Sequence, residues 1–210
     1  MSSERDSVRS EAVSDTDRGW KVHIRSSASK SLDCETMSAP PRPEVWLRGP
    51  LPGIDPILLP AAHTLIQARE DVAAAAAGAS DADLWARPGG AASAGFHLRH
   101  LAGSLERLLT YARGEKLSPS QLAALPREGE PGAGADQLVA EAQAGIDRAI
   151  IQLGNTPPAT YGEIRPVGRA ALPATVLGLI VHAAEHTSRH TGQFITTLKI
   201  ARGLRAPPAA

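Results

Sequence analysis

Seven histidines occur in the chain, and three fall in one short stretch, HAAEHTSRHTGQ, residues 182–193. In an α-helix, positions four apart lie about 40° from each other and about 6 Å along the axis, so two imidazoles at that spacing can reach one ion. His182 with His186 and His186 with His190 both meet this condition. His182 and His190 are about 12 Å apart by the same rise, too far for all three to share a metal. With His186 set at 0° on a helical wheel, Val176, Ile180, Ala183, Phe194 and Leu198 fall at about 60° to 120°, the core side. His190 then lies at about 40° and His182 at about −40°, so the inward pair is His186 and His190 and His182 is a rim residue. Gln193 and Thr197 continue the same stripe as polar groups able to line a pocket.

A catalytic zinc site keeps about three protein ligands and one open position, so a further ligand must come from another helix. His97 and His100 stand together in an upstream helical segment, and the wheel favours His97, about 60° nearer that helix's leucine face. Glu106, Glu70, Asp71 and His63 are remoter options, and spacing leaves the choice open. Glu185, His182 and Arg189 flank the pair and offer a proton acceptor or an anion anchor. An open site lined by Gln193, Thr197 and Ser104 would favour chemistry, and a closed four-ligand site a structural role. The single cysteine, Cys34, forms no internal disulfide and no multi-cysteine site, so nitrogen and oxygen must hold any metal. The glycines of GPLPG and PGAG lack the strand-to-helix context of a phosphate loop, and no serine has a matched base.

The elements that must position these side chains are helices. Alanine and leucine dominate the apolar residues while aromatics make up only 3%, a balance that favours helix over sheet. The entry segment 44–59 is expected to pack Trp46 and Leu47 on the domain, with Asp55 and Pro56 as a cap and first-turn pair. A first helix, from Pro60, runs through AAHTLIQAREDVAAAAA to Gly78, a left-handed stop. SDAD before Leu84 and Trp85 is a capping box for a short turn, which RPGG breaks. Ser93 caps a second helix, AGFHLRHLAGSLERLLTYAR, with Leu98, Leu101, Leu105, Leu108, Leu109 and Ala112 on one face. Residues 115–134 form a proline- and glycine-rich crossover connection. A third helix, DQLVAEAQAGIDRAIIQL, buries Leu138, Val139, Ala142, Ile146, Ala149, Ile150 and Leu153 and ends at Gly154. After a loop with room for an extended piece, Pro173 is expected to open the fourth and longest helix, which ends near Gly203. Four long amphipathic helices predict an all-α four-helix bundle.

Residues 1–43 combine serine and both charges with aperiodic apolar residues, a composition expected to be disordered. Met37 stands at its junction with the domain, which suggests a start-site extension dispensable from 1 to 36; His23 belongs to this tail. The domain is expected over 44–205, with 206–210 a flexible end. Lysine plus arginine equals aspartate plus glutamate at 22 each, so no basic field draws nucleic acid or an anionic membrane. No apolar run approaches the roughly 20 residues of a membrane span, and no secretory h-region is present. A cytoplasmic protein acting on a small molecule is the expectation.

SAGFHLRHLAGSLERLLTYARG, followed about eighty residues later by HAAEHTSRHTGQ, resembles the DinB/YfiT-like metalloenzyme superfamily over about residues 45–203. The carriers are a serine cap, a histidine before LAGS, and the histidine pair ending in H-T-G-Q. The resemblance implies a four-helix bundle, often homodimeric, holding a divalent metal on His100, His186 and His190, with Gln193 and Arg189 as pocket candidates. It selects His100 where the wheel favours His97. Zinc or nickel leads among the metals that suit imidazoles. Relatives transfer or isomerise with low-molecular-weight thiols such as bacillithiol or mycothiol, or hydrolyse. A thiol-dependent transferase or hydrolase is therefore expected, and a non-enzymatic metal-binding or stress-response protein is the alternative.

Overall fold

The structure is a computed structural model that describes residues 42–205. The expectations for the tail up to residue 41, with His23, Cys34 and Met37, and for residues 206–210 lie outside the described residues. The elements in chain order are α1 (Leu59–Ala76), α2 (Asp81–Trp85), α3 (Ala94–Ala112), α4 (Pro119–Ala124), α5 (Ala135–Gly154), β1 (Ile164–Val167), β2 (Leu172–Thr175) and α6 (Val176–Arg205). Helices α1, α3, α5 and α6 form the expected four-helix bundle: α3 packs on α5 and α6, and α1 on the same two helices.

Local signals place these helices. Ser80 and Ser118 each close a capping box with the residue three further on, Asp83 and Gln121, and the Ser93 hydroxyl accepts from the Phe96 amide. Gly78 and Gly114, just past the ends of α1 and α3, have φ of +66° and +80°, a region where a Cβ is strained. The leucine stripe of α3 meets Phe194, Ile180 and Leu198 of α6 and Ile146 of α5 in one core. Full burial of each such side chain contributes about 1.5–3 kcal/mol.

Two expectations need correction. Trp46 and Leu47 do not pack on the domain: they are 63% and 57% exposed. The 3₁₀ turn Val45–Leu47 aims Val45 inward instead. The Val45 amide donates to Gln67 Oε1 at 2.9 Å, and the Trp46 indole reaches only Glu44 at the surface. Pro173 likewise does not open the last helix. It lies in β2, opposite Pro166 of β1 in an antiparallel hairpin, where a missing N–H is tolerated because two-stranded sheets have only edges. The helix starts three residues later, where Thr175 Oγ1 accepts from the Gly178 amide at 2.9 Å. The stretch read as a plain crossover also contains α4 and a 3₁₀ turn, Leu125–Arg127.

Candidate metal centre

Helix α6 presents its histidines as the wheel orders them. His182 is exposed, His186 partly buried, and His190 buried at 9% exposure. Opposite them, α3 carries His97 and His100, about one and two turns past the Ser93 cap. His97 is the deeper of the two, at 6% exposure. Depth does not select the cluster, however: the nitrogens of His100, His186 and His190 all lie within 4.8 Å of one another. His97 stands beside this group, its Nδ1 3.1 Å from Nδ1 of His190. The leucine-face argument thus found the more buried histidine but not the one that converges with the α6 pair.

The hydrogen bonds decide which nitrogens are available. Glu128, from the connection after α4, accepts from Nδ1 of His100 at 2.7 Å. The proton of a neutral His100 therefore sits on Nδ1, and its Nε2 lone pair points at Nε2 of His186, 3.0 Å away. With Nδ1 of His190 engaged by His97, Nε2 is its nitrogen without a hydrogen bond among the described residues. Phe96 stacks on His100 with ring centroids 5.2 Å apart, closing one side of the imidazole.

Electrostatics keeps the α6 pair in the form a metal requires. Burial first, then the nearby His100 and His186, push His190 from 6.5 down to about 4. Burial and then His100 also lower His186, and the same two causes lower His97. Burial alone would raise Glu128, but hydrogen bonds from His100 and Arg107 outweigh it and hold the carboxylate ionised. Neutral imidazoles are ligands, and imidazolium is not. Three converging imidazoles, one backed by a carboxylate, could hold a divalent metal ion. Nδ1 of His186 is buried without a partner among the described residues.

The family model of the DinB superfamily matches residues 64–194, more than half of the chain. The chain belongs to the DinB superfamily. No curated protein matches it. The all-α bundle and the cluster on α3 and α6 agree with this membership.

Other residues singled out in the sequence fall elsewhere in this DinB bundle. Glu185 pairs with Arg189 one turn on and lies 3.5 Å from His182, all three on the outer face of α6. Arg189, Gln193 and Thr197 line a cleft of about 510 Å³ together with His97, which touches His190. Ser104 is buried and donates to its own helix at Leu101, outside that lining. The remoter ligand options are occupied: Glu70 by Arg48, Asp71 by Gln67, His63 by the Gly49 carbonyl. Glu106 is exposed. Sequence reading missed Glu128 and Arg107, whose contacts span 28 and 21 residues. The one local signal is the Ser118 and Gln121 capping box of α4, which precedes Glu128 in a connection otherwise rich in proline and glycine.

Proposed function

We propose that this DinB-superfamily chain is a metal-dependent enzyme acting on a small molecule, either a thiol-dependent transferase or a hydrolase. The observation that carries the reading is the convergence of His100, His186 and His190 beside a cleft large enough for a metabolite. A divalent ion held there would act as a Lewis acid, making a water or an incoming thiol more acidic. The chain's own residues supply the rest. Arg189, exposed at the cleft, is placed to anchor an anionic group, and Gln193 and Thr197 offer hydrogen bonds to orient a substrate. Glu185 holds Arg189 by an ion pair across one helical turn, and is itself the outer candidate for accepting a proton. Any catalytic thiol would come with the substrate, since the described residues contain no cysteine.

The proposal extends to a homodimer. A groove between α1 and α6, floored by Pro60, Thr64 and Ser188 and edged by exposed Trp46, Ile57 and Val181, supports it. Sedimentation of the wild type beside Val181→Glu tests this, with a monomeric variant expected. The cytoplasmic setting is also proposed; no described helix is long and apolar enough to cross a membrane.

The deciding experiment pairs elemental analysis with a turnover screen using low-molecular-weight thiols and activated esters. One metal per chain and turnover that disappears in Arg189→Ala support the enzyme. A metal-loaded protein inert throughout the screen would leave the non-enzymatic metal-binding role.

A further inference from the structure

The connection between α4 and α5 is strapped onto α3 at several points. Arg99 donates to the carbonyls of Arg127 and Glu130 and lies over the Trp85 ring, while the Trp85 indole donates to the Ala133 carbonyl. The strap brings Glu128, 7% exposed, against the middle of α3. One carboxylate oxygen accepts from His100 Nδ1 and the other from Arg107 Nη1, each at 2.7 Å. The pair crosses α3 over Gly103: a Cβ at that position would lie 2.7 Å from both Arg107 Nη1 and Glu128 Oε1. Gly103 has no φ requirement of its own, since it sits inside a regular helix. Its lack of a side chain is what the ion pair needs.

We propose that Glu128 is a positioning residue for the metal centre and that Gly103 and Arg107 are its seat. Glu128 holds the His100 proton on Nδ1 and the ring in the orientation that presents Nε2 to His186. Arg107 holds the second carboxylate oxygen in place, and Gly103 leaves the space in which the two side chains meet. The connection read as a plain crossover is therefore part of the site. A carboxylate or carbonyl behind a ligating imidazole fixes its tautomer and raises its basicity, and losing it typically weakens metal binding about 10- to 100-fold.

This inference rests on the metal-binding reading of the three histidines, and its test separates the two. Zinc affinity is measured by chelator competition on the full-length chain for wild type, Glu128→Ala, Glu128→Gln and Gly103→Ala. Thermal unfolding of the metal-free forms and the ¹⁵N imidazole spectrum of metal-free wild type run beside it. Glu128→Ala is expected to bind zinc about 10- to 100-fold more weakly, and Glu128→Gln, which keeps an acceptor for Nδ1–H, to recover part of that loss. Gly103→Ala is expected to bind more weakly while its metal-free form keeps a cooperative unfolding transition, alanine's better helix propensity partly offsetting the strain on the buried ion pair. A general loss of folding would move both readouts down together. Wild-type affinity in Glu128→Ala, or a His100 proton found on Nε2, would overturn the proposal. A wild type that binds no zinc would overturn the metal reading beneath it, and the tautomer spectrum would then still decide what Glu128 does.

Discussion

Helices α1 and α5 bury only alanine, leucine, isoleucine, valine and glycine, whereas α3 and α6 also bury histidines, threonines, a serine and an arginine. All four belong to one bundle, yet the two pairs follow different rules. An apolar pair converts burial into stability directly. A polar pair must satisfy each buried group, or leave it in a form that a ligand completes. Thr187 and Thr191 do so locally, each donating to the carbonyl four residues back. The histidines do so across helices. The bundle therefore separates its two tasks, with α1 and α5 supplying packing and α3 and α6 holding the histidine cluster inside that packing.

The sharpest way to break this division is to remove ligands. His100→Ala, His186→Ala and His190→Ala are each expected to abolish stoichiometric metal, while His97→Gln retains it; elemental analysis distinguishes them. At free metal about 1,000 times the Kd, the wild type should gain about 4 kcal/mol over its metal-free form, a gain absent from the three ligand variants. Ile146→Ala probes the other pair. A fully buried isoleucine cut to alanine is expected to lose about 2–5 kcal/mol in denaturant unfolding while keeping one metal per chain. Metal lost from a still-folded Ile146→Ala would mean that the two pairs are not separable.

Acid offers a third probe. His190 is held down at about 4 in the fold against 6.5 ordinarily, so between those values the unfolded chain binds a proton that the folded chain does not. The metal-free protein should keep its full stability above about pH 6.5 and lose about 3 kcal/mol as pH falls to about 4, at about 1.4 kcal/mol per pH unit. His186 and His97, also lowered, act in the same direction. A His190→Asn variant should flatten this acid limb, which equilibrium unfolding at stepped pH would show. The smallest effect expected is that of Ser93→Ala. It removes the cap of the helix that carries His97 and His100, costs about 1 kcal/mol, and should shift the melting temperature with metal stoichiometry unchanged.

Most of the fold was legible because its signals are local. Ser80, Ser93, Gly78 and Gly114 mark helix ends through bonds and dihedrals that involve only their neighbours. The helix facing of His186 and His190 was legible too, since a wheel needs only the rise and turn of one helix. Pro173 misled because a proline at a helix start and a proline on an edge strand look alike until the partner strand is known. Trp46 and Leu47 misled for a related reason. Hydrophobicity says that a side chain gains from burial, but the three-residue turn had room to turn only Val45 inward.

By itself, the sequence determined a helical bundle, its helix boundaries to within a few residues, and one helix with an inward histidine pair. The resemblance named His100 where the wheel favoured His97, but only the tertiary structure supplies the physical reason. His97 is the more buried, yet the crossing of α3 and α6 places His100 at 3.0 Å from His186. Tertiary structure alone brought Glu128 to His100 and Arg107 across the gap above Gly103. Such contacts join residues far apart in the chain, and their geometry depends on how whole helices and a strapped loop pack, which no local periodicity encodes.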